Sequence, residues 1–285
     1  MISKSFHYLI LLPLSILPSF CLYIISDFMY VFIYYILGYR KKIVTKNIQN
    51  SLLHLTQEEQ LVVIKKFYKH LCDIMVESVK SFTISKKQLA KRFIMKNPEL
   101  ADSYAQKKQS IIIVGGHYNN WEMFAQATPL YHEHNCLGIY KPLSNDFYNA
   151  KMLKSRQKFG FNMFAMKETL NCFKHPSVKA IFFASDQSPS SFKNVYWLNF
   201  LNQETAVQFG VERLSKLFNY PILTYTISKV KRGYYQAEYE LLCDNPTAYE
   251  HGEITKLFTS RIQETILKNP EYWLWSHKRW KRKKK

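Results

Sequence analysis

The run from Tyr8 to Leu37 limits this chain most: it holds no lysine or arginine, and Asp27 is its only formal charge. A bilayer span needs about 20 apolar residues, so the stretch is long enough to cross a membrane or lie along one. Pro13 and Pro18 predict kinks in any helix formed there. The cluster Phe28, Tyr30, Phe32, Tyr34 and Tyr35 suits the headgroup level, where a ring can keep one side apolar and one side wet. Arg40, Lys41 and Lys42 follow at once, and the positive-inside rule then places the rest of the chain in the cytoplasm. A cleaved signal peptide would need a small-residue site after the apolar stretch, and none follows. A buried pair of core helices is the other reading that the length and Asp27 permit. The expected division is a hydrophobic membrane anchor over 1–39, a helical membrane-proximal segment over 40–96, and an α/β catalytic domain over 97–285 with a basic, aromatic end.

Beyond the anchor, Thr56-Gln57-Glu58-Glu59 reads as a capping box, and apolar positions from Leu61 to Phe82 recur at steps of three and four. That pattern predicts one long amphipathic helix. Ser85 to Gln88 opens a short one, and Asn97-Pro98 another, with proline at the first helical position. The pattern then changes to short apolar runs, Ile111 to Val114, Cys136 to Tyr140, Lys179 to Ala184 and Ile222 to Ile227, which read as strands. Helices are expected between them, at about Asn120 to Tyr131, Asn145 to Phe159 and Thr205 to Asn219. Alternation of this kind implies an α/β fold with a mixed sheet flanked by helices.

Charge narrows the partners without choosing one. Forty Lys and Arg against 21 Asp and Glu give +19, and the end from His277 to Lys285 is basic throughout except for Trp280. Such an excess points to nucleic acid, an anionic membrane surface, or an acidic or phosphorylated partner. The five cysteines are scattered with no C-x-x-C pair and read as reduced core thiols. Neither a dinucleotide fingerprint nor a Walker loop occurs, which moves nucleotide enzymes down the list.

The chemistry concentrates in Ile111-Ile-Ile-Val-Gly-Gly-His117-Tyr-Asn-Asn-Trp-Glu122. An apolar strand ends in two glycines, which puts His117 at the carboxyl edge of the sheet, where sites of α/β proteins gather. Glu122 lies about one helical turn into the next element, within reach of the imidazole. A neutral imidazole can take a proton from a hydroxyl while a carboxylate fixes its tautomer. The hydroxyl then attacks a thioester directly, in keeping with the lack of a G-x-S-x-G elbow. By spacing alone, a capping histidine and a solvated glutamate fit equally. A zinc site is disfavoured, because no H-E-x-x-H occurs and the other histidines are scattered.

At these residues the chain resembles the late acyltransferases of lipid A biosynthesis, the lauroyl and myristoyl transferases, a glycerolipid-acyltransferase-like group. The H-x4-E block usually ends Gly-Asn-Trp-Glu; here it is Asn119-Asn120-Trp121-Glu122, and asparagine is the residue that best tolerates positive φ. Arg40 to Asn47 is similar to the family's basic stretch, and Glu77 falls where it has a helix glutamate. Tyr140-Lys141-Pro142-Leu143 is similar to its Tyr-Arg-Pro-Leu, and Arg156 with Gly160 to its Arg-x3-Gly. Asp186-Gln187 matches an Asp-Gln pair, and Thr205 a threonine that follows a short aromatic strand, here Tyr196 to Phe200. Pro270 to Lys281 is similar to the family's closing Pro-x-Gln-Trp-x-Trp-x-His-Arg-Arg-Phe-Lys.

The resemblance implies His117 and Glu122 as catalytic residues and Asn120, Lys141, Arg156, Asp186, Gln187 and Thr205 as substrate-binding ones. Lys141 and Arg156 would face phosphate or the thioester oxyanion. It also implies an acyl-carrier-protein donor (or acyl-CoA), a phosphorylated glucosamine lipid acceptor, no cofactor or metal, no nucleic acid, and a monomer on the cytoplasmic face of the inner membrane. Read without the family, the closing block is an aromatic and basic tail suited to a membrane interface. Rival readings are a related acyltransferase acting on another polar lipid, a glycolipid or an aryl-polyene, a membrane-associated nucleic-acid-binding protein, and a structural adaptor with a dead site.

Overall fold

Pro18 divides the apolar amino terminus into two helical arms. In the computed structural model, which describes residues 2–284, α1 (Ile2–Phe6) runs through a wider π-helical turn at His7–Leu11 into α2 (Leu12–Ile16). Pro13 sits in the first turn of α2, and the widened turn before it accommodates the hydrogen bond that proline cannot make. Leu17 and Pro18 are extended, so the chain breaks before α3 (Ser19–Val31), which continues through Phe32–Leu37 to a left-handed Gly38. Carbonyls left open at the break are gathered by Lys80 Nζ, 3.0 Å from Ser15 O, 3.3 Å from Ile16 O and 2.9 Å from Leu17 O.

Ser19–Leu37 is long and apolar enough to cross a membrane, and only 22% of its window is buried in the protein. Large apolar side chains face outward in this stretch and in the arm before it, Phe28 at 72% exposure and Leu9 at 75%. Patches of this kind need lipid or protein cover. One polar face nevertheless binds the arm to the body: Ser26 donates to Asp73, and Arg232 bridges Asp27 and Asp73.

After α4 (Lys41–Ser51), α5 (Gln57–Lys80) and α6 (Lys86–Arg92) come β1 (Phe93–Met95), α7 (Pro98–Gln106), β2 (Ile111–Gly115) and α8 (Trp121–Ala127). Next are β3 (Asn135–Tyr140), α9 (Asp146–Arg156), β4 (Asn162–Ala165), α10 (Thr169–Lys174), β5 (Lys179–Ala184), β6 (Val195–Phe200) and β7 (Gln203–Gln208). The chain closes with α11 (Gly210–Phe218), β8 (Ile222–Lys231), β9 (Tyr234–Cys243) and α12 (Glu253–Lys268). Both expected capping boxes form, Thr56 with Glu59 and Ser85 with Gln88.

Seven strands make one mixed sheet in the order β1-β9-β8-β2-β5-β3-β4, as expected of an α/β chain. β9 runs antiparallel to β8, and the strands from β8 through β4 are parallel. Helices cover both faces, so β2 is buried along its whole length and its side chains alternate between two cores. Ile112 and Val114 join Phe67, Tyr68, Phe258 and Trp275 on one face, while Ile111 and Ile113 join Tyr104, Phe124 and Tyr235 on the other.

Several expectations are corrected. Thr205 opens no helix: it lies in β7, paired with Leu198 of β6 across a two-residue turn in which Leu201 and Asn202 both have positive φ. The helix begins only at Gly210. β9 went unread, although Tyr235, Ala237 and Tyr239 alternate inward along it after Gly233, whose φ is +77°. Phe93–Met95, inside the segment expected to be helical, pairs with β9 at the sheet edge. Two of the three tryptophans of the closing block lie in the core and not at an interface: Trp273 is 2% exposed and Trp275 0%, while Trp280 is half-buried.

Candidate active site

The double glycine after β2 is dictated by two close approaches. A Cβ on Gly115 would overlap the Tyr225 ring, and one on Gly116 would stand 3.1 Å from the Cβ and Cγ of Asp186. Asp186 follows β5, the parallel neighbour of β2, so both strands deliver their ends to one place. There Asp186 holds His117 twice. The backbone N–H of His117 donates to Oδ2 at 2.9 Å, and Nδ1 lies 2.7 Å from Oδ1. The indole of Trp273 donates a third bond to Oδ2 at 2.8 Å. Burial works to raise the Asp186 pKa, but attraction to His117 and these donors overcome it and hold the carboxyl at about 2. With Nδ1 committed to a carboxylate, the proton sits there and Nε2 carries the lone pair.

The expectation that Glu122 folds back on the imidazole is therefore corrected. Its carboxylate takes a bidentate pair from Arg156, Nε to Oε2 at 2.8 Å and Nη2 to Oε1 at 2.5 Å, with the Trp121 indole 3.2 Å from Oε1. Burial alone would raise the Glu122 pKa, and Arg156 reverses this, leaving it below its ordinary value. Arg156 moves the opposite way, above its ordinary value, because Glu122 outweighs its burial. Glu122 thus holds the Arg156 guanidinium beside His117, and the carboxylate that orients the imidazole is that of Asp186.

The loop between the strand and α8 is set by its asparagines. Asn119 adopts φ +53° and donates to Ile227 O. Asn120 caps α8 by accepting from the Met123 N–H, and its amide donates to Glu77 Oε2 at 2.6 Å. Glu77 also accepts from Tyr23 of α3 and Tyr235 of β9, each at 2.8 Å, so one carboxylate ties the apolar helix, the His117 loop and the sheet together.

His117, Trp121, Glu122 and Arg156 border a cavity of about 1390 Å³. Phe124, Leu153, Met163, Leu170, Phe182 and Phe183 give it apolar walls. Lys141, Lys193, Arg213 and Lys281 line it too, and among the described residues none of these four forms an ion pair with the protein. Apolar length beside unpaired cations suits an acyl chain joined to an anionic group. Of the residues expected at the site, His117, Glu122, Lys141, Arg156 and Gln187 reach this cavity, and Asp186 stands behind His117. Asn120 and Thr205 do not line it. Thr205 is 1% exposed and accepts from the Trp280 indole at 2.8 Å, so it fastens the closing segment.

That segment supplies what the motif lacked. Besides Trp273, it brings His277, whose Nε2 accepts from the Ser188 N–H at 3.1 Å and which burial lowers to a pKa of about 4. Arg279 is buried against Ala206 O, and burial lowers it to about 10. The Trp-x-Trp-x-His spacing was visible in the sequence, but aromatic and basic residues serve a membrane interface and a buried brace equally well.

The fold and site define an α/β protein with a His–Asp pair bordering a lipid-sized, cationic cavity and an apolar helix long enough to cross a membrane. The chain matches the family model of bacterial lipid A biosynthesis acyltransferases over residues 2–282 and belongs to that family. No curated protein matches it.

Proposed function

We propose that the chain moves a fatty acyl group from an acyl-carrier-protein thioester onto a hydroxyl of a phosphorylated glucosamine lipid, a lipid A precursor, with His117 as general base. The observation that carries this is the His117 Nδ1 to Asp186 contact of 2.7 Å beside the cavity. Nε2 takes the proton of the acceptor hydroxyl, and the oxygen attacks the thioester carbonyl carbon. As the tetrahedral intermediate collapses, the C–S bond breaks and the imidazolium returns its proton to the thiolate. Charge on the carbonyl oxygen is met by Arg156, whose Nη1 lies outside the pair with Glu122.

Lys141, Lys193, Arg213 and Lys281 receive the phosphates of the acceptor, and the protein's net +19 attracts an acidic carrier protein. Acyl-CoA is the alternative donor. The reaction needs no cofactor, the chain acts as a monomer, and the exposed apolar arms hold it on the cytoplasmic face of the inner membrane. The test is transfer by the purified chain from acyl-carrier protein or acyl-CoA to a lipid A precursor, with lipid mass spectrometry of cells with and without the gene. Loss of one acyl mass from lipid A supports the reading; loss from a glycolipid, an aryl-polyene or another polar lipid overturns the acceptor assignment.

A further inference from the structure

At the opposite edge of the sheet, three side chains converge that acyl transfer does not use. Asp102 comes from α7, and His132 and His134 from the segment leading into β3. One ligand-capable atom of each lies within 4.8 Å of the other two. The side chain of His132 is fully buried, with Nδ1 3.5 Å from Asp102 Oδ1, and His134 is 4% exposed. His134 Nδ1 is buried without a hydrogen-bond partner, and His132 Nδ1 has only its 3.5 Å approach to Asp102. Native interiors rarely leave such atoms unmatched, so each asks what it faces.

The opposite nitrogen of each ring is held by a partner. His134 Nε2 lies 3.0 Å from Gln109 O, and a carbonyl only accepts. The proton of the neutral ring is therefore on Nε2, and Nδ1 presents a lone pair. His132 Nε2 lies 2.7 Å from the Tyr239 hydroxyl. A hydroxyl oxygen can accept from Nε2, and in that tautomer His132 presents the Nδ1 lone pair to an ion beside Asp102.

Two imidazoles and a carboxylate thus bring ligand atoms together, and the far nitrogen of each ring is held by a hydrogen-bond partner, as in metal-bound histidines. The Glu133 N–H orients the carboxylate from 3.1 Å. Ligands about 2.0–2.1 Å from a tetrahedral ion stand about 3.3 Å from one another, close to the 3.5 Å between His132 and Asp102. Asp102 keeps 16% of its side chain exposed, which gives an ion entry and a water the fourth position. Nitrogen and oxygen donors of this kind suit zinc, whereas magnesium and calcium take sets of oxygens.

We propose that Asp102, His132 and His134 form a binding site for a divalent transition-metal ion of the zinc type, which fastens α7 to the lead-in of β3. The ion stabilises this end of the domain and takes no part in acyl transfer.

The untagged full chain, purified in detergent and stripped with a chelator, is titrated with Zn2+ and Co2+. About one zinc ion per chain should bind, Co2+ should give the visible absorption of a tetrahedral site, and zinc should raise the melting temperature. His134→Gln and Asp102→Asn should each weaken binding by about tenfold or more and remove the zinc-dependent rise in melting temperature. Failure of the native chain to bind zinc overturns the proposal whatever the variants do. Equal binding by native chain and variants overturns it as well, because the ion is then held elsewhere.

Discussion

Two histidine–aspartate pairs stand at opposite edges of one sheet and differ in what the imidazole's other side meets. At the carboxyl edge, His117 gives Nδ1 to Asp186 and keeps 22% of its side chain exposed at the cavity. At the amino edge, His132 is sealed, with Nε2 tied to Tyr239 and Nδ1 turned to Asp102. The same two residue types leave one imidazole nitrogen open to a cavity in one place and enclosed by protein in the other. Access separates them, more than residue identity does.

The comparison breaks most sharply at His117 itself. His117→Ala should lower turnover by about 10²- to 10⁴-fold, the range for losing a general base, while the protein stays folded and membrane-associated. Assay of the purified variant with native-like circular dichroism checks this, and retained activity removes His117 from the mechanism. His132→Phe at the sealed edge should lower turnover far less and act mainly on the melting temperature.

Next in size is Asp186→Asn, which keeps shape but lets the imidazole adopt the wrong tautomer; turnover should fall by about 10²-fold or more with KM little changed. The same residue sets an acid limit on stability. Its folded pKa of about 2 is below the ordinary 3.8 of an aspartate, so its contribution is fully present above about pH 4 and is lost as the pH falls toward 2. The shift corresponds to roughly 2 kcal/mol. Urea unfolding at pH 5 and pH 3 should show a larger loss for the native chain than for Asp186→Asn; equal losses would mean that another group governs acid unfolding.

Why Asp186 was legible as a site residue but not as the orienter follows from topology. Four apolar runs announced β2, β3, β5 and β8, and H-x4-E announced a base, because local period and spacing are written in consecutive residues. That β5 lies beside β2 is not: it depends on which of several parallel strands pair, and Asp186 is 69 positions from His117. Glu122 seemed the nearer partner because one helical turn separates it from the histidine. Asn120 caps α8 so that the Glu122 carboxylate meets Arg156 on α9 instead. The closing tryptophans were misplaced for a different reason. Their chemistry fits a headgroup layer or a buried brace, and only the partner of each indole N–H decides which.

That brace gives a smaller effect. Trp273→Phe keeps the ring in its buried place and deletes one of the donors to Asp186 Oδ2. The carboxylate retains both bonds to His117, so turnover should fall by about tenfold, a loss of roughly 1.4 kcal/mol in transition-state stabilisation. The Asp186 pKa should rise, which moves the acid loss of stability to higher pH. Turnover together with urea unfolding at pH 5 and pH 3 tests this, and an unchanged acid limit would remove Trp273 from the support of the pair.

The smallest expected effect probes the glycine that lets the pair form. Gly116 lies outside the left-handed region, so alanine is compatible with its backbone, but the new Cβ would stand 3.1 Å from Asp186 Cβ and Cγ and 3.3 Å from Oδ2. Asp186 would have to give by a few tenths of an ångström, and its bonds to His117 and Trp273 resist that movement. A displacement of 1 Å at a catalytic group costs about 10²-fold, so Gly116→Ala should lower kcat only about two- to fivefold and leave KM alone. A fall as large as that of Asp186→Asn would mean that the carboxylate cannot shift without releasing the imidazole, and no fall would mean that the pair tolerates a looser fit than its short contacts imply.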